Sequence, residues 1–102
     1  MIQYNVTCLV DPEIEQEWLG WMRDVHLPEV MATGKFVSYR MFKIDPHEDG
    51  DSGATYAVQY LLENRELFSD YVTNHGPALK AKTLAKYGER VQAFRTLMEQ
   101  VL

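Results

Sequence analysis

The stretch IQYNVTCLVDPE, residues 2–13, decides the fold of this chain. Ile2, Tyr4, Val6, Cys8 and Val10 alternate with Gln3, Asn5 and Thr7, the period of two that gives a strand one apolar and one partly polar face. At Asp11-Pro12 the period changes. Asp11 can accept hydrogen bonds from free N–H groups, and Pro12 at the first helical position lacks an N–H that would go unused there, so together they start a helix. Ile14, Trp18, Trp21, Met22 and Val25 follow at helical spacing and form one apolar stripe.

The same alternation of periods continues outward from this junction. Pro28 is expected to end the regular helix, PEVMA to add a short turn, and Gly34 to release the chain into the extended run KFVSYRMFKI, residues 35–44. DPHEDGDSG, residues 45–53, reads as a polar loop, and ATYAVQYLL, residues 54–62, as a strand with two faces. Asn64 can cap a second helix carrying Leu67, Phe68, Tyr71 and Val72. Gly76-Pro77 breaks or kinks that helix, and ALKAKTLAKYG resumes it as far as Gly88. Residues 90–98, RVQAFRTLM, make a last strand. The order β-α-β-β-α-β predicts an α+β, ferredoxin-like fold, a four-stranded antiparallel sheet with helices on one face. If the more apolar faces of the first and third strands meet the helices, Asn5, Thr7, Ala57, Gln59 and Leu61 are left on the other side. That face invites a second sheet.

Bulk properties narrow the function. A chain of 102 residues predicts one domain, and 46% hydrophobic with 25% charged residues is ordinary for a globular protein. The net charge of −5 argues against a nucleic-acid partner, whose phosphates are bound by Lys and Arg. Lone Cys8 has no partner for a disulfide within the chain, and with no signal peptide or apolar run of membrane-spanning length a cytoplasmic location without membrane association is expected.

The segments MIQYNVT, WLGWMRDVHLPEVMATGKF, TYAVQY and RVQAFRT, in this order and spacing, resemble a bacterial family of domains of unknown function in the dimeric α/β-barrel superfamily. The resemblance covers nearly the whole chain, and HLPEVMATG is its most specific part. It implies ferredoxin-like protomers whose sheets pair face to face in a homodimer; in many members of the wider superfamily a pocket lies between the sheet and the helices within each protomer. The family implies no reaction. The wider superfamily includes cofactor-independent monooxygenases, lactone isomerases, polyketide cyclases and haem-degrading enzymes, and chemistry does not transfer with a fold. Haem-degrading relatives use a helix histidine with an asparagine and a tryptophan. Here Tyr71 takes the tryptophan's place and Ala81 falls about where the histidine is expected, so no haem or other cofactor is expected.

Several residues carry candidate chemistry. His26, on the flank of the apolar stripe, is either a helix-end imidazole stabilised by the macrodipole or an acid-base group at a cleft beside Trp18 and Trp21. His75 lies four residues after Tyr71, a spacing that makes phenol and imidazole neighbours on one helical face. His26 and His75 both stand in H-x-P stretches, 49 residues apart, at corresponding places in the two halves. Trp18 and Trp21, with Tyr4 or Tyr60, would line an apolar ligand pocket. Asn5, Arg40 and Gln59 would orient a ligand or belong to a solvated or dimer-buried face. Lys80, Lys82, Lys86 and Arg90 form a local basic patch that would attract an anion or simply face solvent. No metal site is expected, because the histidines are far apart and DPHEDG, read as a calcium loop, has Tyr56 where a bidentate Glu is required. The expected function is binding of a small apolar or aromatic metabolite by a homodimer. The alternatives are a cofactor-independent isomerase, cyclase or monooxygenase using His26 or Tyr71 with His75, and a non-catalytic dimerisation module.

Overall fold

The computed structural model describes residues 1–45 and 54–102, so the calcium-loop reading falls largely outside the described residues. The elements run β1 (Ile2–Val10), a 3₁₀ turn (Pro12–Ile14), α1 (Glu15–Trp21), a π-helical segment (Met22–His26), α2 (Leu27–Ala32), β2 (Ser38–Ile44), β3 (Ala54–Leu62), α3 (Arg65–Asn74), α4 (Gly76–Tyr87), a second 3₁₀ turn (Gly88–Arg90) and β4 (Val91–Glu99). The four strands form one antiparallel sheet in the order β2-β3-β1-β4. This is the ferredoxin-like α+β fold that the periodicity predicts.

The alternation in β1 and β3 is realised as burial. Ile2, Tyr4, Cys8 and Val10 of β1, with Ala54, Tyr56, Val58, Tyr60 and Leu62 of β3, are buried in the core together with Ile14, Trp18, Met22, Leu27, Val30, Phe36, Tyr71, Leu79 and Tyr87. Facing strands pair like with like, Tyr4 opposite Tyr60 and Val6 opposite Val58, so both present the same face to the helices. Trp18, 1% exposed, seats α1 against Tyr56 at a ring-centroid distance of 5.1 Å.

The predicted caps are in place. Asp11 accepts from the Glu13 N–H at 2.9 Å, and Asn64 accepts from the Leu67 N–H at 3.0 Å. Gly34 (φ 74°) and Gly88 (φ 56°) close the two helical halves in the left-handed region that side-chain-bearing residues avoid.

The first helical half departs from expectation at Pro28. The proline does not end the helix: it sits in the first turn of α2, and the helical path runs on to Ala32. What changes is the ladder, which widens so that the Leu27 N–H reaches the Met22 carbonyl, five residues back. Proline cannot supply the next N–H and its ring would crowd the carbonyl four residues before it; the wider turn accommodates both. The buried stripe follows this change, running Ile14, Trp18, Met22, Leu27, Val30 with a step of five at the π segment. Val25, expected in the stripe, is displaced toward solvent at 40% exposure, and Trp21 is half-buried on its flank. At the second H-x-P stretch His75 joins α3 to α4 with Pro77 again in a first turn, but there the backbone leaves the helix (φ −125°), whereas at His26 it stays helical (φ −69°).

The opposite face of the sheet has no element over it among the described residues. Register places Arg40 beside Gln59, Gln59 beside Asn5 and Asn5 beside Thr96, one polar row across the strands. Apolar residues flank it, with Phe94 (62% exposed), Phe42, Ile44, Leu9 and Met98 all on this side.

Candidate functional site

A cavity of about 610 Å³ lies between the sheet and the helices. Its floor is the inner face of β1, β3 and β4, with Tyr4, Cys8 and Tyr60 among the lining residues; Trp18, Met22 and His26 come from the first helical half and Tyr71, Leu79 and Lys80 from the second. The exposed Leu84 of α4 and Arg95 of β4 rim its mouth.

Aromatic packing fixes the shape of the deeper wall. Tyr4 lies 6.0 Å from Tyr60 and 5.0 Å, edge-on, from Phe68; Phe36 is 5.0 Å from Tyr60 and 4.7 Å, edge-on, from Tyr71. Such pairs contribute about 0.5–1.5 kcal/mol each beyond area burial, which stabilises the packing of this apolar wall. Gly76 approaches this group closely: a Cβ there would stand 3.5 Å from the Tyr71 ring and 3.4 Å from its carbonyl.

His26 is half-buried, stacked on Trp21, and lines the cavity. Trp21 itself does not line it but backs the imidazole, with Tyr87 edge-on behind it at 5.4 Å. Burial holds the His26 imidazole below the ordinary histidine range, with nearby Glu29 pulling weakly upward, so the neutral ring is the resident form at neutral pH. Glu29 is held by Lys82 at 2.7 Å.

Tyr71 is buried and lines the cavity, and burial pushes its phenol up to about 12. His75 stands beside it with rings 6.4 Å apart, outside the lining, and no hydrogen bond joins the two side chains among the described residues. The cavity thus brings together His26 and Tyr71, one from each helical half, and leaves His75 at a helix junction.

Of the expected ligand-orienting residues, Tyr4 and Trp18 line the cavity, whereas Asn5, Arg40 and Gln59 lie on the opposite face of the sheet. There Gln3 donates to Gln59 at 2.6 Å and Asn5 donates to Thr7 at 2.9 Å, while the buried Asn5 Oδ1 has no hydrogen-bond partner among the described residues. The separation follows from strand phase, since adjacent residues point to opposite faces. Cys8, read from the alternation as an apolar strand position, is part of the wall, and Arg95, the cation that β4 contributes, is a cavity residue that the sequence pattern does not single out. Burial pushes the Cys8 thiol up to about 11. Ala81, the position matched to an iron-ligating histidine, is exposed and outside the lining, and α3 and α4 contribute no imidazole to it. These residues do not fit haem in the way that resemblance would require.

The chain belongs to the family described as Domain of unknown function (DUF4286), which matches residues 1–101. Among solved structures it is similar to HapK from Hahella chejuensis, with a TM-score of 0.72 at 12% identity over 99% of this chain and 93% of that one. It is similar to a dimeric ferredoxin-like protein from an uncultured marine organism, with a TM-score of 0.70 at 10% identity over 99% and 95%. A third likeness, with a TM-score of 0.60 at 17% identity over 98% and 95%, is to a mutant of MhuD with two manganese protoporphyrin IX bound per active site. These likenesses establish the fold. Comparison with curated proteins gives no match.

Proposed function

We propose that this protein is a homodimer that binds a small, largely apolar or aromatic metabolite in the cavity between sheet and helices. The observation that carries the reading is the cavity itself: about 610 Å³ is within the range of small-molecule sites, and its wall is aromatic with few polar groups. Pairing through the open sheet face is supported by the exposed Phe94, Phe42 and Ile44 around the Arg40-Gln59-Asn5 row, and by the dimeric ferredoxin-like neighbour. A second sheet laid there would cover the apolar flanks and offer donors to the orphan Asn5 carbonyl.

Native mass spectrometry of the purified protein tests both parts. A dimer mass with a co-purifying small molecule is expected. A monomer would overturn the pairing, and a cavity that takes up no aromatic compound in a binding screen would overturn the ligand reading.

One observation favours catalysis as a second reading. His26 as a neutral imidazole and Tyr71 as a protonated phenol both line the cavity, a base and an acid available to an enolisable ring compound. Once a ligand is identified, His26→Ala and Tyr71→Phe should each abolish its conversion while leaving its binding. Unchanged turnover in both variants would leave the protein a binder.

A further inference from the structure

The chain carries 15 acidic residues against 10 basic ones, yet the cavity lining holds two cations, Arg95 and Lys80, and no carboxylate among the described residues. Arg95 stands on the helix-facing side of β4, opposite Val6, with Ala93 and Leu97 as its same-face neighbours. A strand position flanked in this way would ordinarily carry an apolar side chain. The basic residues around it have partners: Lys82 pairs with Glu29, Lys86 with Glu17, and Arg90 with Asp11 and Glu13. Arg95 and Lys80 form no ion pair among the described residues. Arg40, on the far face of the sheet, is the other basic side chain without an ion pair among the described residues, so two of the three unpaired cations stand at the cavity.

Arg95 also faces inward enough to be felt there. Its guanidinium opposes the upward shift that burial imposes on Tyr4, Cys8 and Tyr71, three groups that all line the cavity.

On the reading that this cavity is a binding site, we infer that its ligand is an organic monoanion: a flat ring body carrying one carboxylate, received by Arg95 with Lys80 at the rim. The guanidinium fork matches a carboxylate with two parallel hydrogen bonds, and an always-charged donor beside an apolar wall selects an acid over its neutral analogue. The ring body then lies over the apolar floor beside Tyr4 and Tyr60, where area burial supplies the rest. A multiply charged phosphate suits the site less, because the deeper wall has only phenol, thiol and imidazole to offer it.

The test is titration of the full-length protein with 2-anthracenecarboxylate and its neutral amide, read by ligand fluorescence and by quenching of the tryptophans. The carboxylate should bind about tenfold or more tightly than the amide. Arg95→Met, which keeps much of the side chain's length, should remove that preference while leaving amide affinity within about twofold, and Arg95→Lys should retain part of it. Lys80→Met should weaken the carboxylate by a smaller factor. The acid-to-amide ratio in the unaltered protein is informative even if Arg95→Met folds poorly. Equal binding of both probes, or a preference that survives Arg95→Met, overturns this inference and leaves the cavity reading standing. Failure of both probes to bind overturns the two together.

Discussion

The imidazole of His26 lies flat on the indole of Trp21, with ring centroids 4.9 Å apart and planes inclined by 24°. The pairing seats a titratable ring in a place that favours its uncharged form, and burial lowers its pKa from the ordinary value of 6.5. The unfolded chain therefore binds the proton more readily than the folded one. Stability contributed by neutral His26 is present above pH 6.5 and is lost as pH falls from there through the folded-state pKa. Urea midpoints measured from pH 8 to pH 5 should decline, and His26→Phe should reduce the decline. An identical pH profile in the variant would show that the imidazole titrates as freely in the fold as outside it.

Cys8 offers a chemical readout of the same core. Its thiol is 6% exposed and its pKa is raised from 9.0 to about 11, so at pH 8 the reactive thiolate is about 100-fold scarcer than in an exposed cysteine, before access is considered. Ellman's reagent should leave the native protein unlabelled for hours and label one thiol per chain on unfolding in guanidinium. Rapid native labelling would mean that the reagent reaches Cys8 through the cavity or through opening of the sheet at β1.

Leu62 and Leu84 separate stability from binding. Leu62, with no exposed surface, packs under the sheet, and Leu62→Ala should cost about 2–5 kcal/mol in urea unfolding through lost transfer energy and the cavity left behind. Leu84, 64% exposed at the cavity mouth, should cost under about 0.5 kcal/mol when changed to Ala, while still weakening an aromatic ligand.

The open sheet face is tested with charge. Phe94→Glu together with Phe42→Glu would place repelling carboxylates across the proposed two-fold interface. Light scattering after size exclusion should shift from dimer to monomer mass, with circular dichroism unchanged. A dimer unaffected by both changes would have to use another surface.

How much of this is legible in the sequence depends on phase. β1 and β3 alternate sharply, and Asp11, Asn64, Gly34 and Gly88 mark the helix ends by mechanisms that act locally, so the fold can be read directly. β2 and β4 carry apolar residues on both faces. In β4, Val91, Ala93 and Leu97 compete with Phe94 and Met98, and nothing local decides which set turns inward. Arg95 is hidden for that reason, and Arg40 draws attention although it belongs to the far side. Pro28 misleads differently: read as a stop, it proves compatible with a wider helical turn. The spacing of Met22, Leu27 and Val30 holds that information, because only a step of five keeps all three on the buried side.

That widened turn has a consequence for how the chain tolerates length changes. Between Met22 and Leu27 the polypeptide carries one residue more than a regular helix needs to keep both flanking stripes in phase, which makes the segment equivalent to a fixed single-residue insertion. Deleting His26 and replacing Pro28 with Ala would restore an even four-residue step from Met22 to Leu27 and uninterrupted hydrogen bonding. The buried stripe of Trp18, Met22, Leu27 and Val30 would stay in phase, and what would vanish is the one imidazole that lines the cavity among the described residues. The visible effect of the surplus residue is thus to furnish the cavity wall with a titratable ring.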